Sequence, residues 1–201
     1  MPQADGGSRR SANWATRRDA IVDTSARVFA QNGYHATGIN ELCAANELGK
    51  GALYHYIGSK EELLAAIHDR VMDEVLASGA RVAASSGTPS EKLVQLGDGL
   101  IDIITRFPDH VWVFLHEFPA LTGERAETFR ERRREYEKRV ETVISAGVKA
   151  GEFRKVDPRL TTLAWLGMHN YTYLWWRGDR KLSPRDIAQR FADIFIDGIR
   201  A

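Results

Sequence analysis

Helix starts recur along the 201-residue chain so regularly that little room is left for strands. Ser59 with Glu62 and Thr88 with Glu91 have the spacing in which a hydroxyl and a carboxylate satisfy two orphaned backbone N–H groups at a helix start. Pro89, Pro158 and Pro184 each follow a cap residue (Thr88, Asp157, Ser183), placing proline where its missing N–H costs nothing. Stops are equally clear: Asn32-Gly33, Gly58 and Gly178 offer left-handed ends, and Pro108 breaks another run. Between these marks apolar residues return every three or four positions, as in Leu63, Leu64, Ile67, Val71 and Val75, or Leu93, Leu96, Leu100 and Ile103. A two-residue alternation is nowhere sustained. The pattern predicts an all-α chain of about nine helices: three and the start of a fourth form an N-terminal group, and a larger bundle follows.

The expected spans are 14–32, a second helix capped by Thr37, 49–57, a fourth opening at Ser59, a fifth opening at Thr88, 111–121, 124–150, 158–177, and a last one after Ser183. Residues 1–12 are polar, rich in Gly and Ser and free of an apolar core, so they read as a disordered arm and not a signal peptide. Residues 13–60 then form an N-terminal head, and 61–201 a larger helical body. No internal repeat points to a solenoid.

Composition narrows the class. A hydrophobic fraction of 43% supports a packed core, and a net charge of +1 excludes a global basic field, so any nucleic-acid footprint must be local. Cys43 is the only cysteine, which rules out an intramolecular disulfide and suits a reducing cytoplasm. No apolar run approaches the roughly 18 residues of a membrane span, and no membrane association is expected.

The segment 51–63, Gly-Ala-Leu-Tyr-His-Tyr-Ile-Gly-Ser-Lys-Glu-Glu-Leu, carries the sharpest functional signal. A short helical pattern at 39–48 precedes it, giving the helix, tight turn and polar-aromatic helix that enter a DNA major groove. Leu53 and Ile57, four apart, face inward, which leaves Ala52, Tyr54, His55 and Tyr56 on the other faces. Tyrosine offers an apolar ring to sugar or thymine methyl and a hydroxyl to phosphate; histidine can donate to phosphate or base edges. Lys60, at the start of the next helix, adds an ammonium beside free backbone N–H groups. The competing reading is an amphipathic helix whose aromatics pad the core.

The same run, preceded by Thr37 and by Leu42-Cys43-Ala44, resembles the DNA-binding signature of the TetR family in order, spacing and residue type. The nine-helix pattern extends the resemblance over nearly the whole chain. It implies a homodimeric bacterial transcription factor, most often a repressor, released from a pseudo-palindromic operator by a small molecule. It implies phosphate contact for Thr37 and Lys60, and base or phosphate contact for Lys50, Gly51, Ala52, Tyr54, His55 and Tyr56. Three positions depart from the family pattern. Glu47 replaces a turn glycine, so that either it or Asn46 must take the left-handed conformation. Gly49 replaces a Ser/Thr cap, and Ile57 replaces an aromatic. The stretches 151–153 (Gly-Glu-Phe) and 175–178 (Trp-Trp-Arg-Gly) are similar to regulators of fatty-acid and steroid breakdown, which implies a small hydrophobic or acyl-CoA effector.

A second constellation is aromatic. Trp112, Phe114, His116 and Phe118 lie around the sixth helix, and Trp165, His169, Tyr173 and Trp176 share a face of the eighth. Apolar walls with a few orienting polar groups make a ligand pocket, and Trp112, His116, Trp165, His169 and Tyr173 are its candidates; plain core packing is the alternative. In the family the last two helices usually build the dimer, so Trp175, Trp176, Phe191, Ile194 and Phe195 are assigned to that interface.

Metal and enzyme readings have less behind them. His110 and His116 are six apart and His169 stands alone, not at the three-to-five spacing of a helical zinc site, so no metal and no cofactor are expected. The charged run 125–139 nearly cancels itself through pairs such as Glu127–Arg130, Glu135–Lys138 and Glu135–Arg139. There is no Gly-x-Ser-x-Gly and no phosphate-binding glycine loop, so the chain is not read as an enzyme. A helical protein-binding adaptor without an operator is the remaining alternative, but it gives Tyr54, His55, Tyr56 and Lys60 no role.

Overall fold

The computed structural model describes residues 5–176 and 182–201, the side chains of 5–10 excepted. The described residues are almost entirely helical: α1 (Asp5–Asn32), α2 (Ile39–Ala45), α3 (Lys50–Ile57), α4 (Lys60–Ala84), α5 (Pro89–Arg106), α6 (Pro108–His116), α7 (Gly123–Lys149), α8 (Pro158–Asn170), the single turn α9 (Thr172–Trp175) and α10 (Pro184–Ile199). Tyr171, between α8 and α9, keeps helical dihedrals and donates its N–H to Gly167 O at 3.1 Å. The turn α9 thereby prolongs the eighth expected helix, and the nine-helix reading stands. Arg177 and Gly178, where that helix is expected to end, lie outside the described residues.

Caps act where the sequence puts them. Thr88 with Glu91 and Ser183 with Asp186 are reciprocal capping boxes, and Asp157 accepts from Leu160 N. Ser59 accepts from Glu62 N at 3.0 Å, but its own N–H goes to Ile57 O at 2.8 Å, so the expected box at α4 is only half made. Three boundaries move. Helix α1 starts at Asp5, inside the segment 1–12 read as a disordered arm. Once a helix is nucleated, each added residue brings one hydrogen bond, so it can extend without a buried face. Pro108 both stops α5 and opens α6 at its first position, and α6 ends at His116, because Phe118–Ala120 forms a separate 3-10 turn. Thr37 does not cap α2; Gly38 does, without a side-chain bond.

Two apolar cores result. The larger joins the distal half of α4 to α5, α7, α8 and α10 around Leu96, Ile101, Val140, Ile144 and Trp165. The other joins α1, α2, α3 and the first turns of α4 around Phe29, Leu42, Leu53 and Leu64, and takes in Val113 of α6 with Leu121, Ala126 and Phe129. The head therefore has no sealed core of its own: α6 and the start of α7 complete it. Each fully buried Leu, Ile or Phe contributes about 1.5–3 kcal/mol, so the four body residues weigh appreciably on the head's stability.

Candidate functional site

Helices α2 and α3 meet through a turn whose geometry departs from the usual composition. Asn46 caps α2 with φ −96°, and Glu47 itself takes the left-handed conformation at φ 54°. The possibility that Asn46 fills that role is thereby corrected. Glu47 N bonds Ala44 O and Leu48 N bonds Cys43 O, the paired bonds of a Schellman turn, which demands a left-handed residue at this position. Asn46 serves elsewhere: buried, it donates to Leu42 O (2.9 Å) and Ser25 Oγ (3.2 Å), tying the turn to α1.

Gly49 caps α3, and Leu53 and Ile57 are buried, as the spacing predicts. Lys50, Gly51, Ala52, Tyr54 and His55 are exposed along the outer face of α3. Tyr56 is half-buried and stacked on Trp14 (5.8 Å, 29°), which is itself 39% exposed. Lys60 lies 4.3 Å over the Tyr34 ring, and burial of its ammonium lowers its pKa against an opposing effect from Glu117. Thr37 stands apart from this group: it is 1% exposed, and its hydroxyl donates to Gly33 O at 2.8 Å. Its side chain is spent on the α1–α2 turn and is not presented to a phosphate in this conformation.

The head is joined to the body by contacts that no local pattern announces. Glu117 accepts from Tyr34 N at 2.9 Å, and Glu61 accepts from Thr122 Oγ1 at 2.7 Å. His110 Nε2 sits 3.1 Å from Asp23 Oδ1, and Arg70 is 3.6 Å from the same carboxylate oxygen. Burial lowers the pKa of His110, with Asp23 opposing. The paired residues are tens of positions apart in sequence, and only the docking of α4, α6 and the start of α7 against α1 and one another brings them together.

A cavity of about 50 Å³ opens between α4, α5, α6, α7 and α8. Val71, Met72, Leu100, Ile103, Ile104, Val111, Phe114 and Leu115 form its apolar wall, and Arg133, Tyr136, Glu137 and Asn170 its polar part. None of the five expected pocket residues lines it. Trp165 and His169 are fully buried deeper in the bundle, stacked on each other (4.1 Å) with Phe191 at the edge of the imidazole (5.6 Å). His169 Nδ1 bonds Trp165 O, and burial pulls the His169 pKa down to about 4. Trp112 and His116 stack at 4.5 Å outside the cavity, and Tyr173 OH meets His116 Nε2 at 3.0 Å. Apart from Phe114, the aromatic spacing located a packed seam; the cavity is walled mainly by aliphatic side chains that look like ordinary core in sequence.

The expected interface residues also separate. Ile194 is 68% exposed, whereas Phe191 and Phe195 are half-buried against their own core, as are Trp175 and Trp176. Leu160, Leu163, Tyr171 and Leu174 are exposed along α8 and α9, and went unnoticed in the sequence. The available signal was that α8 is apolar on two faces, with Trp165 and His169 inward and this row outward. The charged half of α7 is not merely solvated either: beside Glu127–Arg130 and Glu135–Arg139 (both 2.5 Å), Arg132 grips Asp69 and Asp73 of α4.

A short helix, a Schellman turn and an exposed polar-aromatic helix, set on a helical body with an internal cavity, define a helix-turn-helix DNA-binding regulator. Residues 21–67 match the family described as bacterial regulatory proteins, tetR family, and 86–199 match its tetracyclin repressor-like C-terminal domain. The chain belongs to the TetR family of DNA-binding transcriptional regulators, which is not a family of enzymes. It is 26% identical over 205 residues to the HTH-type transcriptional repressor KstR2 of Rhodococcus jostii, covering 98% of this chain and 96% of that one. Among solved structures it resembles AibR in complex with isovaleryl coenzyme A and operator DNA (33% identity, TM-score 0.79, 89% of this chain and 97% of that one). It also resembles the regulator PfmR of Thermus thermophilus (28% identity, TM-score 0.82, 90% and 99%). No helix among the described residues is long and apolar enough to cross a membrane.

Proposed function

We propose that two copies of this chain place their α3 helices in successive major grooves of a pseudo-palindromic operator. Lys50, Gly51, Ala52, Tyr54 and His55 meet the DNA directly, Tyr56 does so from its stack on Trp14, and Lys60 flanks them. The exposed apolar row of α8, α9 and Ile194 is the surface that a homodimer would cover. Head and body divide near residue 60. The effector is a small hydrophobic molecule, and the isovaleryl coenzyme A bound by AibR supports an acyl-CoA. A DNA partner places the protein in the bacterial cytoplasm.

One observation carries the coupling. Helix α6 walls the cavity with Val111, Phe114 and Leu115, and the same helix with the residue after it holds the head through His110–Asp23 and Glu117–Tyr34. At about 50 Å³ the cavity is far smaller than an acyl-CoA chain, so an occupant must push α6 away from its neighbours. The free energy of release then equals the effector's preference for the displaced state.

The test is operator selection from random DNA followed by fluorescence anisotropy at several salt concentrations. A selected palindrome bound at least about a thousandfold tighter than random DNA is expected. Equal affinity for all sequences would sink the reading.

A further inference from the structure

Most of the cavity's lining is apolar, and Arg133, Tyr136, Glu137 and Asn170 make up its polar part. Arg133 and Glu137, one turn apart on α7, face the cavity with Asn170 of α8. Arg133 Nη2 is 3.8 Å from Glu137 Oε1, beyond hydrogen-bond reach, and the two side chains are 40% and 28% exposed. The guanidinium makes no hydrogen bond among the described residues and instead lies 5.8 Å from the ring centres of both Phe118 and Phe129. Phe129 belongs to the core that closes the head, where it meets His68 edge-on at 5.0 Å. Asn170 is half-buried and makes no side-chain hydrogen bond among the described residues. A five-donor fork and an amide, neither hydrogen-bonded among the described residues, thus line a largely apolar cavity.

We infer that Arg133, with Asn170, is the recognition site for an anionic oxygen group, carboxylate or phosphate, borne by an effector whose apolar part fills the cavity. It rests on the ligand-released repressor reading above and deepens it. A planar guanidinium takes two oxygens at once, and it holds them more strongly than the long contact it now makes with Glu137. The anion displaces Glu137 and draws the guanidinium off the Phe118 and Phe129 faces. That move loosens the aromatic packing through which α7 supports the head, so one side chain reads the ligand's charge and reports it to the DNA-binding core. An uncharged molecule of the same length fills the cavity without engaging this contact.

The experiment compares decanoate, decanoyl-CoA, coenzyme A alone, decan-1-ol and decylamine on the full-length chain, with thermal shift and calorimetry for binding and anisotropy for operator release. Decanoate or decanoyl-CoA is expected to bind at least about tenfold tighter than decan-1-ol, and Arg133→Gln to remove that advantage. Arg133→Gln keeps the length of the side chain, and Arg133→Lys, which keeps the charge without the fork, is expected to restore part of it. Arg133→Gln also takes the guanidinium off Phe118 and Phe129, so its operator affinity without effector is expected to fall, and an unchanged affinity would overturn the relay to the head; probe binding is therefore read without DNA. Binding of decanoate identifies a carboxylate; binding of decanoyl-CoA with no decanoate response identifies the phosphates. The inference is overturned if Arg133→Gln binds the anionic probes unchanged, if decan-1-ol or decylamine binds as well, or if neither anionic probe binds. A parent chain with no operator preference defeats the repressor reading instead, and the binding data stand apart from that outcome.

Discussion

The left-handed Glu47 allows a quantitative test of the turn. An L-residue at φ 54° suffers contact between Cβ and the following carbonyl, costing roughly 1–2 kcal/mol. Glycine escapes that cost but loses more backbone freedom on folding, about 0.4–1 kcal/mol. The Glu47 side chain is exposed and makes no hydrogen bond or ion pair among the described residues, so its removal forfeits nothing else. Glu47→Gly is therefore predicted to stabilise the chain by about 0.5–1 kcal/mol, a rise in Tm of about 1–4 °C for a domain of this size. Glu47→Ala retains the strain and should lie within about 0.5 kcal/mol of the parent, with Glu47→Asn between the two. Thermal and urea unfolding measure the series at constant protein concentration, because dimerisation shifts both. Equal effects of Gly and Ala, or a loss with Gly, would refute strain at this turn. Removing a negative charge beside the DNA face will also strengthen operator binding, and Glu47→Gln separates that electrostatic part from the backbone part.

Other expectations follow from single side chains. His68 and His169 are buried with pKa values lowered to about 4 from 6.5, so the unfolded chain binds more protons than the folded one between those values. Their stabilisation is complete above about pH 6.5 and fades towards pH 4, losing about 2 kcal/mol per histidine between pH 7 and pH 5; urea midpoints across that range should fall accordingly, and a flat profile contradicts the buried neutral state. Lys50→Ala removes an exposed cation from the start of α3 and should weaken operator and random DNA alike, lowering the salt slope by about 1. Ile194→Asp alters a side chain 68% exposed, so monomer stability should change by less than about 0.5 kcal/mol while the dimer dissociates in light scattering. A dimer unchanged by this substitution removes α10 from the interface.

The polar anchors of this fold are local, and that is why they can be read early. Ser59 and Thr88 find their partners three residues on, and Gly58 at φ 68° ends α3 within one turn. Leu53 and Ile57 are buried and Tyr54 and His55 exposed because an eight-residue helix has only one way to rotate its apolar pair inward. Departures arise where a residue's neighbours come from far along the chain. Thr37 looks like a cap until its hydroxyl is seen to reach back to Gly33, and Trp14 looks like core until α3 places Tyr56 against it.

What the sequence determined by itself is the helical class, the turn that presents α3, and the side chains aligned on it, since these depend on periodicity and capping over a few residues. Tertiary structure alone decided where the cavity lies and how it is linked to the head. Trp165 and His169 were the natural candidates for its wall, yet they pack on each other and on Phe191 in the closed core. The lining is instead mainly aliphatic and shared by five helices, and its charged residues, Arg133 and Glu137, come from a run whose charges nearly cancel in sequence. A void is the space left where separate helices fail to interdigitate. No single segment encodes it, and it exists only once their packing has fixed the distances between them.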